Sequence, residues 1–97
     1  MTYNEVKLKI LIDEYPGDEA WKKFSLRFPA LSLQIINELL LEQDMARAIY
    51  WKKGNDLERL KKWLKNPVPA LSNISPYEVL ALENGKIIMR TLVMRMP

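Results

Sequence analysis

Residues 56–79 read DLERLKKWLKNPVPALSNISPYEV, and the punctuation of this stretch decides the fold class. Asn55 just before it offers a helix cap, with Glu58 three positions on as a capping box requires. Leu57, Leu60 and Leu64 then recur at helical spacing with Trp63 beside them. The pattern predicts an amphipathic helix over 56–65 whose outer side carries Arg59, Lys61, Lys62 and Lys65. Asn66-Pro67-Val68-Pro69 ends it, because two prolines two apart force an extended passage. Ala70 and Leu71 are expected to enter the core as the chain turns at Ser72-Asn73. A second helix, 76–82, opens on Ser75 at the cap, Pro76 at the first helical position and Glu78 at the third. Ile74 and Val79 flank that start as a hydrophobic staple.

The rest of the chain is punctuated in the same way. Asn4 to Tyr15 reads as a helix with Val6, Ile10 and Leu11 on one stripe, although Leu8-Lys9-Ile10 also alternates as a strand would. Pro16-Gly17 stops it. Asp18 is placed as the cap of a helix over 19–27, where Trp21, Phe24 and Phe28 form an inward aromatic anchor. Ser32 caps a long third helix running to about Trp51, apolar on more than one face and therefore either central in the fold or shared with a second copy. Gly54 ends it in a left-handed turn. The last helix runs from Lys86 to Arg95. Met89, Met94 and Met96 near its end offer an adaptable surface, ordinary core filling being the plainer reading. The expected fold is thus all-α, a compact bundle of five to six short helices around one longer central helix. It divides into an N-terminal helical part, 1–36, and a second helical part, 37–97.

Composition removes several kinds of chemistry. The 97 residues include no Cys and no His, so thiolate sites, disulfides and the usual neutral-pH acid–base group are all missing. The three glycines, at 17, 54 and 85, form no phosphate-cradling loop. Asp13-Glu14 and Asp18-Glu19 lack cation-loop spacing, and Ser72 and Ser75 have no base partner. No catalytic residue, no metal site and no cofactor is expected, and the chain is not read as an enzyme. There is no apolar run near the ~20 residues of a membrane span, and MTYNEVK is not a secretion signal. A cytoplasmic protein with no membrane contact is the expectation.

Charge is unevenly spread. Residues 1–46 carry five Lys and Arg against eight Asp and Glu, whereas residues 47–97 carry ten against four. The basic half suits nucleic acid or an acidic partner, though two solvated helix faces of different charge would read the same. Helices two and three have the spacing of a reduced helix-turn-helix. The second of them offers Gln34 and Asn37 to bases but no cation, leaving Lys61, Lys62 and Lys65 as candidate phosphate contacts. Tyr50 and Trp51 beside Lys52 and Lys53 could hold bases or simply edge the core under snorkelling lysines.

From residue 38 to 96 the chain resembles the C-terminal toxin-binding domain of Xre/MbcA/ParS-type antitoxins. The resemblance is carried by Arg59, Trp63-Leu64, Asn66-Pro67, Pro69-Ala70-Leu71, Ser75-Pro76, Glu78-Val79-Leu80, Gly85, Leu92 and Arg95. It departs at Ser72-Asn73, where that family usually has glycines. The resemblance implies a homodimer that binds and neutralises a cognate toxin of the NAD-consuming RES-domain type. The implied partner-binding residues are Arg59, Trp63, Asn66, Pro67, Tyr77, Arg90 and Arg95. A small DNA-binding transcriptional regulator and a stand-alone helical adaptor are the alternatives.

Overall fold

The computed structural model describes the backbone of residues 3–96 and the side chains of 6–96. Seven α-helices follow one another among these residues: α1 (Tyr3–Asp13), α2 (Asp18–Ser25), α3 (Leu33–Leu39), α4 (Gln43–Lys52), α5 (Leu57–Lys65), α6 (Pro76–Leu80) and α7 (Gly85–Arg95). A single 3-10 turn, Pro69–Leu71, lies between α5 and α6. Among the described residues the only pairing of extended backbone is an isolated antiparallel bridge between Val68 and Ile74. The all-α bundle is therefore as the sequence indicates, with one change at its centre.

The long helix expected from Ser32 to Trp51 is two helices. Ser32 does cap α3, its side chain accepting from the Ile35 N–H, but Leu40 turns left-handed at φ 57° and ends the helix there. Glu42 then starts α4 from an extended backbone. The break lets the chain bury residues on both sides of the corner: Leu39 before it, and Leu41, Met45, Ala46, Ala48 and Ile49 after it.

Three smaller corrections have local causes. Asp56, not Asn55, caps α5, accepting from the Arg59 N–H at 3.1 Å. Asn55 is used one step earlier, in the Schellman close of α4: its N–H reaches the Tyr50 carbonyl while Gly54 N–H reaches that of Trp51. Asp18 lies inside α2 behind Gly17 and makes no capping bond there; its carboxylate instead accepts from the Tyr15 hydroxyl at 2.7 Å. Ala70 faces solvent, and Leu71 alone of that pair is buried.

The capping box on α6 forms in full, with Ser75 accepting from Glu78 N–H and Glu78 accepting from Ser75 N–H. The turn before it holds Ser72 and Asn73 both left-handed, at φ 62° and 64°. Asn73 N–H closes on the Val68 carbonyl at 3.0 Å, which brings the Val68–Ile74 bridge together. The passage Asn66 to Ile74 is thereby folded back on itself between α5 and α6.

The core is assembled from every helix except α3's outer face. Trp21 of α2, Leu60 and Leu64 of α5, Val79 of α6, and Ile88, Met89 and Val93 of α7 are all essentially solvent-free. Each buried aliphatic side chain contributes on the order of 2 kcal/mol. The anchor of Trp21, Phe24 and Phe28 forms as a chain of rings, with centroids 5.8 Å and then 5.3 Å apart. α7 packs on α1, α2, α4 and α6, and α5 on α4 and α6. The radius of gyration, 12.9 Å, matches the ~13 Å of one compact unit of this length. No described helix is long and apolar enough to cross a membrane.

Gly85 opens α7 hard against α6. A Cβ placed on it would stand 1.9 Å from the Val79 carbonyl oxygen, a backbone atom that cannot swing aside. Gly85→Ala is expected to cost about 1–3 kcal/mol. Thermal unfolding followed by circular dichroism would show this as a lower midpoint, by roughly 4–8 °C per kcal/mol for so small a domain. An unchanged midpoint would mean that the α6–α7 contact is looser than described.

Candidate partner-binding surface

The basic residues of the second half separate into two groups once their partners are traced. Arg90 of α7 is the most heavily engaged. Its guanidinium lies 5.3 Å from the Trp21 ring centroid, donates to Asp44 and Asp18 at 3.3 Å each, and meets the Tyr15 hydroxyl at 3.1 Å. Trp21 Nε1 donates to the same Asp44 oxygen at 2.8 Å. Only 14% of the Arg90 side chain is exposed, and its Nε is buried without a hydrogen-bond partner. Arg90 thus clamps α2, α4 and the end of α1 onto α7.

Other cations are likewise engaged with groups of the same chain. Arg47 donates to the Phe28 carbonyl, Lys52 to that of Met96 at 2.9 Å, and Lys86 pairs with Glu42 at 2.8 Å. Arg95 pairs with Glu14, just past the end of α1. Lys53 lies over the Trp63 ring at 4.9 Å and Lys52 over Phe24 at 5.6 Å. Both lysines beside Tyr50 and Trp51 therefore cover rings of their own chain. Trp51 itself donates to the Pro29 carbonyl.

Lys61 bridges α5 to α3, reaching Glu38 at 3.0 Å and Glu58 at 3.7 Å. Its hydrogen bond to Glu38 raises its pKa above the ordinary value, against a smaller opposing effect of burial. Tyr77 of α6 completes this link by donating to the Leu39 carbonyl at 2.6 Å. Burial pushes the Tyr77 phenol above its usual 10.0, and the neighbouring Lys61 charge opposes that rise.

Three cations remain. Arg59, Lys62 and Lys65 stand exposed on α5, and each lacks a side-chain partner among the described residues. They lie opposite the buried Leu60 and Leu64, on the side away from the core. Exposed Asn66 and Pro67 continue this surface past the helix end, and half-buried Trp63 edges it. Of the seven expected partner-binding residues, Arg59, Trp63, Asn66 and Pro67 thus share one region. Tyr77 faces α3, and Arg90 and Arg95 are tied into α7's internal contacts. Gln34 and Asn37 lie exposed on α3; α3 and its end residue show solvent two leucines, Leu33 and Leu40, and no cation.

A cleft of about 560 Å³ opens between α2 and α4 and is lined by Trp21, Lys22, Asp44, Arg47 and Arg90 among others. Its charges are already paired or hydrogen-bonded within the fold, apart from Lys22 at the rim. No group of three or more acidic or imidazole or thiol side chains able to hold a metal occurs among the described residues. Comparison with protein-family models, curated proteins and solved structures finds no match to this chain.

The Tyr77–Leu39 bond makes a pH dependence testable. A phenol whose pKa is raised on folding supports the folded state fully below its unfolded value, and that support is lost as pH climbs through the raised one. Lys61, also raised, acts in the same direction. Urea unfolding is therefore expected to be flat near neutrality and to weaken above about pH 10. Tyr77→Phe should lower stability by about 1 kcal/mol at neutral pH, since the Leu39 carbonyl loses its donor, and should show a shallower alkaline decline. An identical alkaline decline in the variant would remove Tyr77 from the effect.

Proposed function

We propose that this chain is a non-enzymatic, cytoplasmic helical adaptor that acts as an antitoxin-like protein, binding and neutralising a partner toxin through α5 and the passage that follows it. The observation that carries the reading is the sorting of its cations. Seven of those in residues 47–97 are engaged within the fold, whereas Arg59, Lys62 and Lys65 project together with no side-chain partner among the described residues. Exposed cations beside an aromatic edge and a stiff proline passage suit an acidic protein surface: the charges steer the encounter and pair with carboxylates, while Trp63 and Pro67 supply apolar contact. A RES-domain toxin is the first partner to try, as the resemblance of residues 38–96 implies.

The same three cations would also suit phosphates, so a small DNA-binding regulator is the second reading. Against it stands the composition of α3, which brings leucine and glutamate rather than arginine or lysine to the place of a base-reading helix.

Co-expression with a RES-domain toxin from the same source tests the leading reading. Growth should be rescued and a stoichiometric complex recovered. The combined Arg59→Gln, Lys62→Gln and Lys65→Gln variant should bind about tenfold or more weakly. Absence of both complex and rescue, together with DNA retention that falls steeply with salt, would replace it with the nucleic-acid reading.

A further inference from the structure

Asn84-Gly85 is the only place in the chain where an asparagine precedes a glycine. The fold asks for each residue on separate grounds. Asn84 holds a left-handed backbone, φ 63° and ψ 11°, which asparagine tolerates better than most residues. Gly85 has no room for a side chain, since a Cβ there would meet the Val79 carbonyl. The pair that results is chemically labile. A peptide nitrogen can attack the side-chain amide of an asparagine before it, and a glycine nitrogen is the least hindered in doing so.

The folded chain treats the two reacting groups differently. The Asn84 side chain is exposed and makes no capping bond to α7. Gly85 is buried, and its nitrogen donates to the Leu82 carbonyl at 3.0 Å. At ψ 11° that nitrogen also points away from the Asn84 Cβ. A five-membered ring therefore cannot close without rotation about the Cα–C bond of Asn84. That rotation would carry Gly85 off Val79 and draw the start of α7, with its buried Ile88 and Met89, away from α6.

We infer that Asn84 is a deamidation site that the α6–α7 junction keeps closed and that reacts when the junction opens. In the opened chain the Gly85 nitrogen bonds to the Asn84 Cγ. The bond from Cγ to the side-chain nitrogen breaks, and ammonia leaves with the proton of the Gly85 nitrogen. One water then opens the succinimide. Attack at Cγ gives aspartate, whereas attack at the main-chain carbonyl gives isoaspartate, whose main chain runs through Cβ and Cγ. The two products differ in consequence. Aspartate at the cap of α7 suits the N–H groups and dipole there, so the junction closes again. Isoaspartate lengthens the main chain by one carbon where Gly85 must lie against Val79, so it does not. Opening of this junction is thereby recorded covalently, by a reaction independent of the surface on α5.

Incubation of the whole chain in mildly alkaline buffer, across a series of urea concentrations, tests the inference. Mass mapping of the tryptic peptide 66–86 locates the conversion. Asn73, which precedes Ile74 in the same peptide, is the internal reference. In unfolding urea Asn84 should convert to both products, faster than Asn73. Without urea it should convert about tenfold or more slowly, in proportion to the small opened population. Val79→Ala, shown by circular dichroism to keep its helices, should speed conversion in the absence of urea. Asn84→Asp should unfold at a midpoint no lower than that of the unaltered chain. Equal rates with and without urea overturn the inference, as does an Asn84 no faster than Asn73 in urea. A Val79→Ala chain that reacts no faster removes the junction from the effect, and a lower midpoint for Asn84→Asp overturns the division between the products.

Discussion

The interaction on which the structure depends is the Arg90 guanidinium lodged between Trp21 and Asp44. A cation so little exposed would be costly to hold without compensation. Here one face meets an indole ring, one nitrogen meets a carboxylate that the same indole also binds, and another reaches Asp18 and Tyr15. The arrangement fixes α2 and α4 against α7 by direction as well as by distance, which apolar packing alone does not do. It also explains why α2, only eight residues long, is held in place. Its aromatic face supplies the area, and Arg90 supplies the register.

This use of Arg90 has a consequence for function. A basic half of the chain suggests a broadly positive surface, but most of that charge is turned inward or paired along helix junctions. Lys61 joins α5 to α3, Lys86 joins α7 to the start of α4, and Arg95 joins α7 to Glu14 just past α1. Within this half, the cations that face outward without a side-chain partner among the described residues lie on α5. The free cationic surface of residues 47–97 is thus smaller than their ten Lys and Arg suggest.

Local punctuation was readable from sequence wherever a residue type has one strong conformational use. Ser75, Pro76 and Glu78 are such a case, as are Ser32 before α3 and Gly54 after α4. The outer face of α5 was readable too, because Leu60 and Leu64 set the buried side and place Arg59, Lys62 and Lys65 opposite. The break at Leu40 was not readable. Its cause is a left-handed leucine, and nothing in the run LLLEQ announces a turn that glycine normally makes. Nor was the engagement of Arg90, whose partners lie 46 and 72 residues away. Spacing along a helix reports which residues share a face, but not which distant carboxylate meets them. Ala70 failed for a related reason: the paired left-handed Ser72 and Asn73 tighten the turn, and only Leu71 reaches the core.

The central claim is that Arg90 holds the fold while Arg59, Lys62 and Lys65 of α5 do not. The most direct measurement is urea unfolding of two variants, Arg90→Gln and the combined Arg59→Gln, Lys62→Gln and Lys65→Gln. Arg90→Gln leaves Asp44 without its counter-charge and Trp21 without its cation, and should lose about 2–4 kcal/mol. The triple variant should stay within about 1 kcal/mol of the unaltered chain, as exposed substitutions do. If Arg90→Gln were as stable as the unaltered protein, or the α5 variant lost several kcal/mol, the division between structural and outward-facing charge would be contradicted.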